Sequence, residues 1–120
     1  MRNGRSKRNL RSEGTLYEDL AADHLSKQGL SVLERNFRSR FGEIDIIARD
    51  RDAYVFIEVK YRSGSGSGDP AEAVGPSKQK TIRRQALYWL AKNGLDDMTP
   101  CRFDVVSINA DKIRWIRNAF

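Results

Sequence analysis

Apolar residues recur along this chain in two different periods. Between residues 12 and 28, Leu16, Tyr17, Leu20, Ala21 and Leu25 fall on one broad arc at ~100° per residue, which predicts an amphipathic helix. Ser12 suits its N-cap, Glu13 its first turn and Gly29 its stop. Three β-type runs follow. Residues 30–37 centre on Val32 and Leu33, and residues 41–48 and 53–61 are rich in Ile, Val and Phe. The helical period returns over residues 77–92, with Pro76 placed for the first turn and Asn93-Gly94 for the end. Residues 102–108 and 112–116 read as closing strands joined at Asn109-Ala110-Asp111. The predicted order is α-β-β-β-α-β-β, an α/β domain without internal repeats.

Two of these strands break the apolar pattern in a way that matters. Gly42-Glu43-Ile44-Asp45-Ile46-Ile47 and Val55-Phe56-Ile57-Glu58-Val59-Lys60 carry charges where buried strands tolerate few. Strand side chains alternate, so Glu58 and Lys60 share a face with Phe56. A hairpin across Asp50-Arg51-Asp52 brings Asp45 near Glu58 on that face. Two carboxylates beside an ammonium suit a hard divalent cation. Mg²⁺ or Mn²⁺ takes oxygen ligands and is often held by one or two carboxylates plus substrate phosphates. Asp45 and Glu58 are the candidate ligands, and the Val59 carbonyl between Glu58 and Lys60 is a third. Lys60 is placed to orient or deprotonate an attacking water, or to neutralise charge on a phosphoryl oxygen. The structural alternative is a half-exposed cross-strand ion pair of Lys60 with Asp45 or Glu58.

The helices add weaker candidates. Glu18 borders the apolar arc of the first helix and is placed to reach the strand ends as a third carboxylate, although alone it reads as a solvated surface residue. Lys78 extends the stripe of Ile82, Ala86 and Trp89 toward the sheet and is placed to meet a substrate phosphate. Lys80, Arg83 and Arg84 read as a solvated, phosphate-facing surface. His24 lies in the first helix's apolar arc without a second histidine for a relay. Tyr54, Phe56, Trp89 and Trp115 are expected in the core or on sheet faces.

Composition narrows the classes. A chain of 120 residues, 39% hydrophobic and 32% charged, fits one soluble domain. No apolar run approaches the ~20 residues of a bilayer span, so no membrane association is expected. The N-terminal basic residues lack an apolar stretch behind them, so no secretory leader is expected. The single Cys101 fits a reducing cytoplasm, and one Cys with one His excludes a Cys/His zinc site. Cys101 has no histidine partner for nucleophilic catalysis.

The net charge of +6 is unevenly spread: five of the 22 Lys+Arg lie in the first eleven residues, leaving 17 against 16 acids. Residues 1–11, with Arg5 and Arg8, are expected to be a disordered arm that either contacts a polyanion or only solubilises the chain. Residues 12–120 form the single domain. The Gly/Ser run of residues 63–70 is a flexible segment, either a mobile loop over a site or a connector.

The ordered set of an early-helix Glu, G-E-I-D-I-I, F-I-E-V-K-Y-R, a Gly-rich loop and a Lys-led helix resembles the YraN-like family of small bacterial proteins. That family belongs to the PD-(D/E)XK, restriction-endonuclease-like superfamily and is similar to archaeal Holliday-junction resolvases. The resemblance covers nearly all of the domain, and Ile44 replaces the nominal proline of the P-D motif. It implies a mixed central sheet flanked by helices, with Asp45 and Glu58 as metal-binding acids, Lys60 as catalytic lysine, Glu18 as helix-one acid and Lys78 as the polar position on the later helix. It further implies a Mg²⁺- or Mn²⁺-dependent endonuclease acting on DNA, with branched or damaged structures among the expected substrates. Lys78, Lys80, Arg83, Arg62, Arg5 and Arg8 would face the nucleic acid, and junction cutting would call for a homodimer. Two alternatives stand beside it: a non-catalytic nucleic-acid-binding accessory, and a protein-interaction module of the same fold.

Overall fold

The computed structural model describes residues 2–62, 74–110 and 112–120, with side chains described for 14–61, 74–110 and 112–120. Its elements are α1 (Arg2–Lys27), β1 (Ser31–Ser39), β2 (Gly42–Asp50), β3 (Ala53–Arg62), α2 (Pro76–Lys92), β4 (Cys101–Asn109) and β5 (Lys112–Ile116). The predicted order holds throughout. Each strand lies within two residues of its expected bounds, because the turn signals and the β-branched runs agree. The expected Gly/Ser segment, residues 63–70, lies outside the described residues.

The five strands form one mixed sheet in the order β1-β2-β3-β4-β5. β1, β2 and β3 meander antiparallel, β3 and β4 pair in parallel, and β5 returns antiparallel to β4. A parallel pair needs a long crossover, and α2 lies within it. Since both faces of the central strands are covered, Val55, Phe56 and Ile57 are all buried in succession, as are the residues of β4 from Phe103 to Ile108.

Alternation divides the core into two layers. Phe37, Ile44, Ile47, Phe56 and Phe103 pack with Ile82, Ala86, Trp89 and Leu90 of α2. On the other face Ile46, Ala48, Val55, Ile57, Val106 and Ile108 pack with Ala21 and Leu25 of α1.

Three sequence expectations shift. The α1 backbone is continuous from Arg2, whereas the capping signals place its start at Ser12; the basic segment contains no proline and is rich in residues that favour helix. Its buried stripe is also narrower than the arc. Ala21 and Leu25 are fully buried and Tyr17 half-buried, an i, i+4 row, while Leu16 and Leu20 face outward. In β1, a register shift between Val32 and Glu34 turns Leu33 out to solvent.

Candidate metal centre

The site arises where β2 and β3 part. Their ladder runs from Asp50↔Ala53 to Ile46↔Ile57, whereas β3 keeps pairing with β4 as far as Arg62↔Asn109 and β2 keeps pairing with β1 as far as Ser39↔Gly42. From Glu58 onward the edge of β3 that faced β2 is therefore open. Asp45 sits at this fork. Ile44 belongs to the α2-side core and Ile46 to the α1-side core, so strict alternation breaks between them, at Asp45.

The Asp45 carboxylate takes over the missing ladder bond: Val59 N–H donates to its Oδ2 at 2.8 Å. In an extended strand the N–H and C=O of one residue leave the same edge, so the Val59 carbonyl also faces this fork. Glu58, almost fully buried, points to the α2 side as its register with Phe56 requires. Its Oε2 lies 3.5 Å from Lys60 Nζ and 3.4 Å from Lys78 Nζ. The predicted union of Asp45, Glu58, Val59, Lys60 and Lys78 is thus present, and α2 brings in its lysine from the first helical turns.

Electrostatically the two acids differ. Glu58 has two ammonium neighbours. Among the described residues Asp45 has none, and its only hydrogen bond is the one from Val59. Burial, followed by the negative charges of Glu58, Glu18 and Glu43, pushes the Asp45 carboxyl up to about 7, against the partial relief of the Val59 N–H.

Asp104 shows what a purely structural buried carboxylate looks like in the same sheet. It is fully buried and receives Arg102 Nε on both oxygens at 3.1 and 3.2 Å, Trp115 Nε1 at 2.9 Å and the Asn118 N–H at 3.0 Å. Arg102 in turn reaches Asp50 at 2.8 Å. Every lone-pair direction of Asp104 is answered by protein, whereas among the described residues the part-buried Asp45 accepts only from the Val59 N–H.

The other candidates separate. Glu18 is held by Asn36 Nδ2 at 2.9 Å and Arg35 at 3.5 Å, so it acts on Asp45 through its charge. No group of three His, Cys, Asp or Glu side chains suited to a metal exists among the described residues, so Glu18 does not complete a protein cage. A polar cleft of about 500 Å³, lined by Gly14, Thr15, Glu18, Asn36 and Arg38, opens beside it. Lys80 is exposed, and Arg83 stacks over Phe103 and Phe120 at 4.8 and 5.5 Å, anchoring the C-terminus. The side chains of Arg62, Arg5 and Arg8 lie outside the described residues. Partial burial raises the Cys101 thiol pKa, against a smaller lowering by Arg83, in keeping with an unreactive cysteine.

Sequence reasoning missed two buried polar groups. Gln85 is fully buried on α2, donating to Phe37 O at 3.2 Å and Gly42 O at 2.9 Å and accepting from Ser39 Oγ. Its place between Ile82 and Trp89 on the apolar stripe was the available signal. Asp104, flanked by Phe103 and Val105, carried the same signal as Asp45.

The donor set fits a hard divalent ion. Two carboxylates and a carbonyl, all oxygen, lie at a fork where one carboxylate lacks a counter-charge, and the incomplete set leaves positions for water and phosphate. A five-stranded mixed sheet in this order, with a helix packed on each face, defines an α/β protein of the restriction-endonuclease-like fold class. Within that class, the model of the Uncharacterised protein family UPF0102 matches residues 17–108, and this chain belongs to that family, the YraN-like family of the sequence resemblance. It is 49% identical over 112 residues to a UPF0102 protein of Lachnoclostridium phytofermentans, covering 93% of this chain and 95% of that one. It is 48% identical over 116 residues to one of Aliivibrio salmonicida, covering 94% of each. With one of Colwellia psychrerythraea it shares 46% over 113 residues, covering 90% of this chain and 88% of that one.

Proposed function

We propose that this protein is a Mg²⁺- or Mn²⁺-dependent endonuclease that hydrolyses phosphodiester bonds in DNA. One observation supports the proposal: Asp45, part-buried, without a cation among the described residues and repelled by Glu58, sits at the open edge of β3, where Glu58 holds Lys60. A structural ion pair would be neutralised at each carboxylate, as Asp104 is; here both lysines sit at Glu58, and Asp45 has no cation among the described residues.

Asp45, Glu58 and the Val59 carbonyl would hold the ion. When bound, it supplies Lewis-acid polarisation of the scissile phosphate. The chain's own groups do the rest. Val59 N–H fixes one Asp45 oxygen and leaves the other for coordination. Lys60, with a quarter of its side chain exposed, keeps its ammonium at the Glu58 carboxylate, where it hydrogen-bonds the attacking water or a phosphate oxygen. Lys78, about half exposed, adds positive charge toward the phosphodiester backbone. Such an enzyme would work in the cytoplasm, where bacterial DNA lies.

The test is cleavage of duplex, single-stranded and four-way-junction DNA with Mn²⁺, with EDTA, and by Asp45→Ala. Cleavage is expected with Mn²⁺ alone. Asp45→Ala should lose at least ~10²-fold, as for removal of an electrostatic stabiliser, and Lys60→Ala ~10²–10⁴-fold, as for a general acid–base group. Cleavage that persists in EDTA or in Asp45→Ala overturns the proposal. DNA binding without cleavage would instead support a non-catalytic accessory.

A further inference from the structure

The outer side of α2 carries a second organised surface. The helix has five basic residues (Lys78, Lys80, Arg83, Arg84 and Lys92) and no acid. Toward the β1–β2 turn, the Phe41 ring has the Arg40 guanidinium at 5.2 Å and that of Arg84 at 5.8 Å, and meets Tyr88 edge-on at 5.4 Å. Tyr88 also stacks on Phe37 at 6.1 Å, and Lys92 lies over Phe37 at 5.8 Å. Among the described residues Arg40, Arg84 and Lys92 have no carboxylate partner, although Arg38 nearby is paired with Glu43. Tyr88 is 40% exposed. Rings and unpaired cations together at a surface are poorly suited to a closed core and well suited to a ligand with both negative charge and flat apolar faces.

This surface shares α2 and the β1–β2 turn with the candidate metal centre. Lys78, at Glu58, and Tyr88 are ten residues apart on one helix, about 15 Å along its axis at 1.5 Å per residue. The turn that supplies Arg40 and Phe41 leads directly into Glu43 and Asp45. A strand whose phosphate sits at Lys60 and Lys78 would therefore pass Arg84 and reach Tyr88 within a few nucleotides.

We propose that Tyr88 and Phe41, with Arg40, Arg84 and Lys92, form a stacking subsite for single-stranded nucleic acid beside the candidate metal centre. Unpaired bases present π-faces to aromatic rings and guanidinium planes, whereas a duplex hides those faces in its stack and offers phosphates and base edges. The subsite deepens the nuclease proposal and rests on it for its role in choosing substrate, but its binding is measurable without cleavage.

The experiment is fluorescence anisotropy in EDTA with the full chain, using a labelled single strand of about 12 nucleotides, within the span such sites cover, and its duplex form. Tyr88→Leu should weaken single-strand binding about tenfold, the scale of one lost base–aromatic stack, with a smaller effect on the duplex. Tyr88→Phe, which keeps the ring, should bind as the parent does. The exposed double variant Arg40→Gln/Arg84→Gln should weaken single-strand binding and flatten its salt dependence, and it carries the test if Tyr88→Leu does not fold. Unchanged single-strand binding in Tyr88→Leu and in the arginine double variant overturns the proposal. So does an equal loss for single strand and duplex, which would mark the patch as purely electrostatic. Binding is read in EDTA and so needs neither metal nor cleavage: a failed cleavage assay leaves this result standing, and a failed subsite leaves the cleavage result standing.

Discussion

Asp45 and Asp104 are both aspartates in apolar strands of one sheet, and their surroundings give them opposite characters. Asp104 is closed by Arg102, Trp115 and the Asn118 N–H. Removing one member of such a buried pair exposes an uncompensated charge, so the cluster fastens β4 to the C-terminus. Among the described residues Asp45 has one hydrogen bond and three acidic neighbours, with its carboxyl held at about 7 against an ordinary 3.8. In the metal-free folded protein Asp45 keeps its proton to about pH 7, whereas the unfolded chain releases it near pH 4. Folding stability from this group is therefore retained at low pH and lost as pH rises from about 4 to about 7. Asp45→Asn removes that dependence while still accepting from Val59. In EDTA, its melting temperature relative to the parent should be somewhat higher at pH 5 and clearly higher still at pH 8. Thermal melts at both pH values check this, and a difference that does not grow with pH would count against the charge repulsion.

At the scale of elements, the site depends on α2 gripping the β1–β2 turn. Gln85 donates to Phe37 and Gly42 and accepts from Ser39, whose Oγ also accepts from the Phe41 N–H at 3.0 Å. Gly42 has φ of +146°, where side chains are disfavoured, and a Cβ there would lie 2.8 Å from Thr81 Cγ2. The helix thus sits as close as the turn allows, three residues before Asp45. Gly42→Ala should cost ~1–3 kcal/mol, the range for a forced backbone conformation. Adding Thr81→Ser should recover only the part due to the steric clash. Urea unfolding of the three proteins measures both terms, and a loss below ~0.5 kcal/mol, the range of an ordinary surface change, would mean that the turn is not held as described. The sequence pattern anticipated both elements, because period and turn chemistry are local. It did not show Gln85 as their fastener, since a lone polar residue on an apolar stripe names no partner until the fold brings Phe37 and Gly42 to it.

For the whole molecule, alternation in the central strands distributes the core over both faces, and a fork between β2 and β3 interrupts the sheet at one place. Asp45, Glu58 and Lys60 were legible in the sequence because charges in β-type runs conflict with burial, and their shared location followed from the hairpin register. The ladder's end at Ile46↔Ile57 was not legible, since strand runs alone do not reveal where pairing stops. Nor did the residue pattern show that Glu58 carries both lysines while Asp45 carries none among the described residues, because Lys78 reaches Glu58 only through the crossover. Glu18 illustrates the reverse case: its position bordering the α1 arc was legible, but its engagement by Asn36 and Arg35 depends on how β1 lies beneath the helix. Among the described residues no helix is long and apolar enough to cross a membrane.

The proposed nuclease activity requires that the β2–β3 fork bind a divalent cation. Calorimetric titration of the full chain with Mn²⁺ at pH 8 tests it most directly, with Asp45→Asn and the surface variant Asp23→Asn measured alongside. Saturable binding by the parent and by Asp23→Asn, lost in Asp45→Asn, is the predicted result. Equal Mn²⁺ binding by the parent and Asp45→Asn, or no binding by the parent, would contradict it.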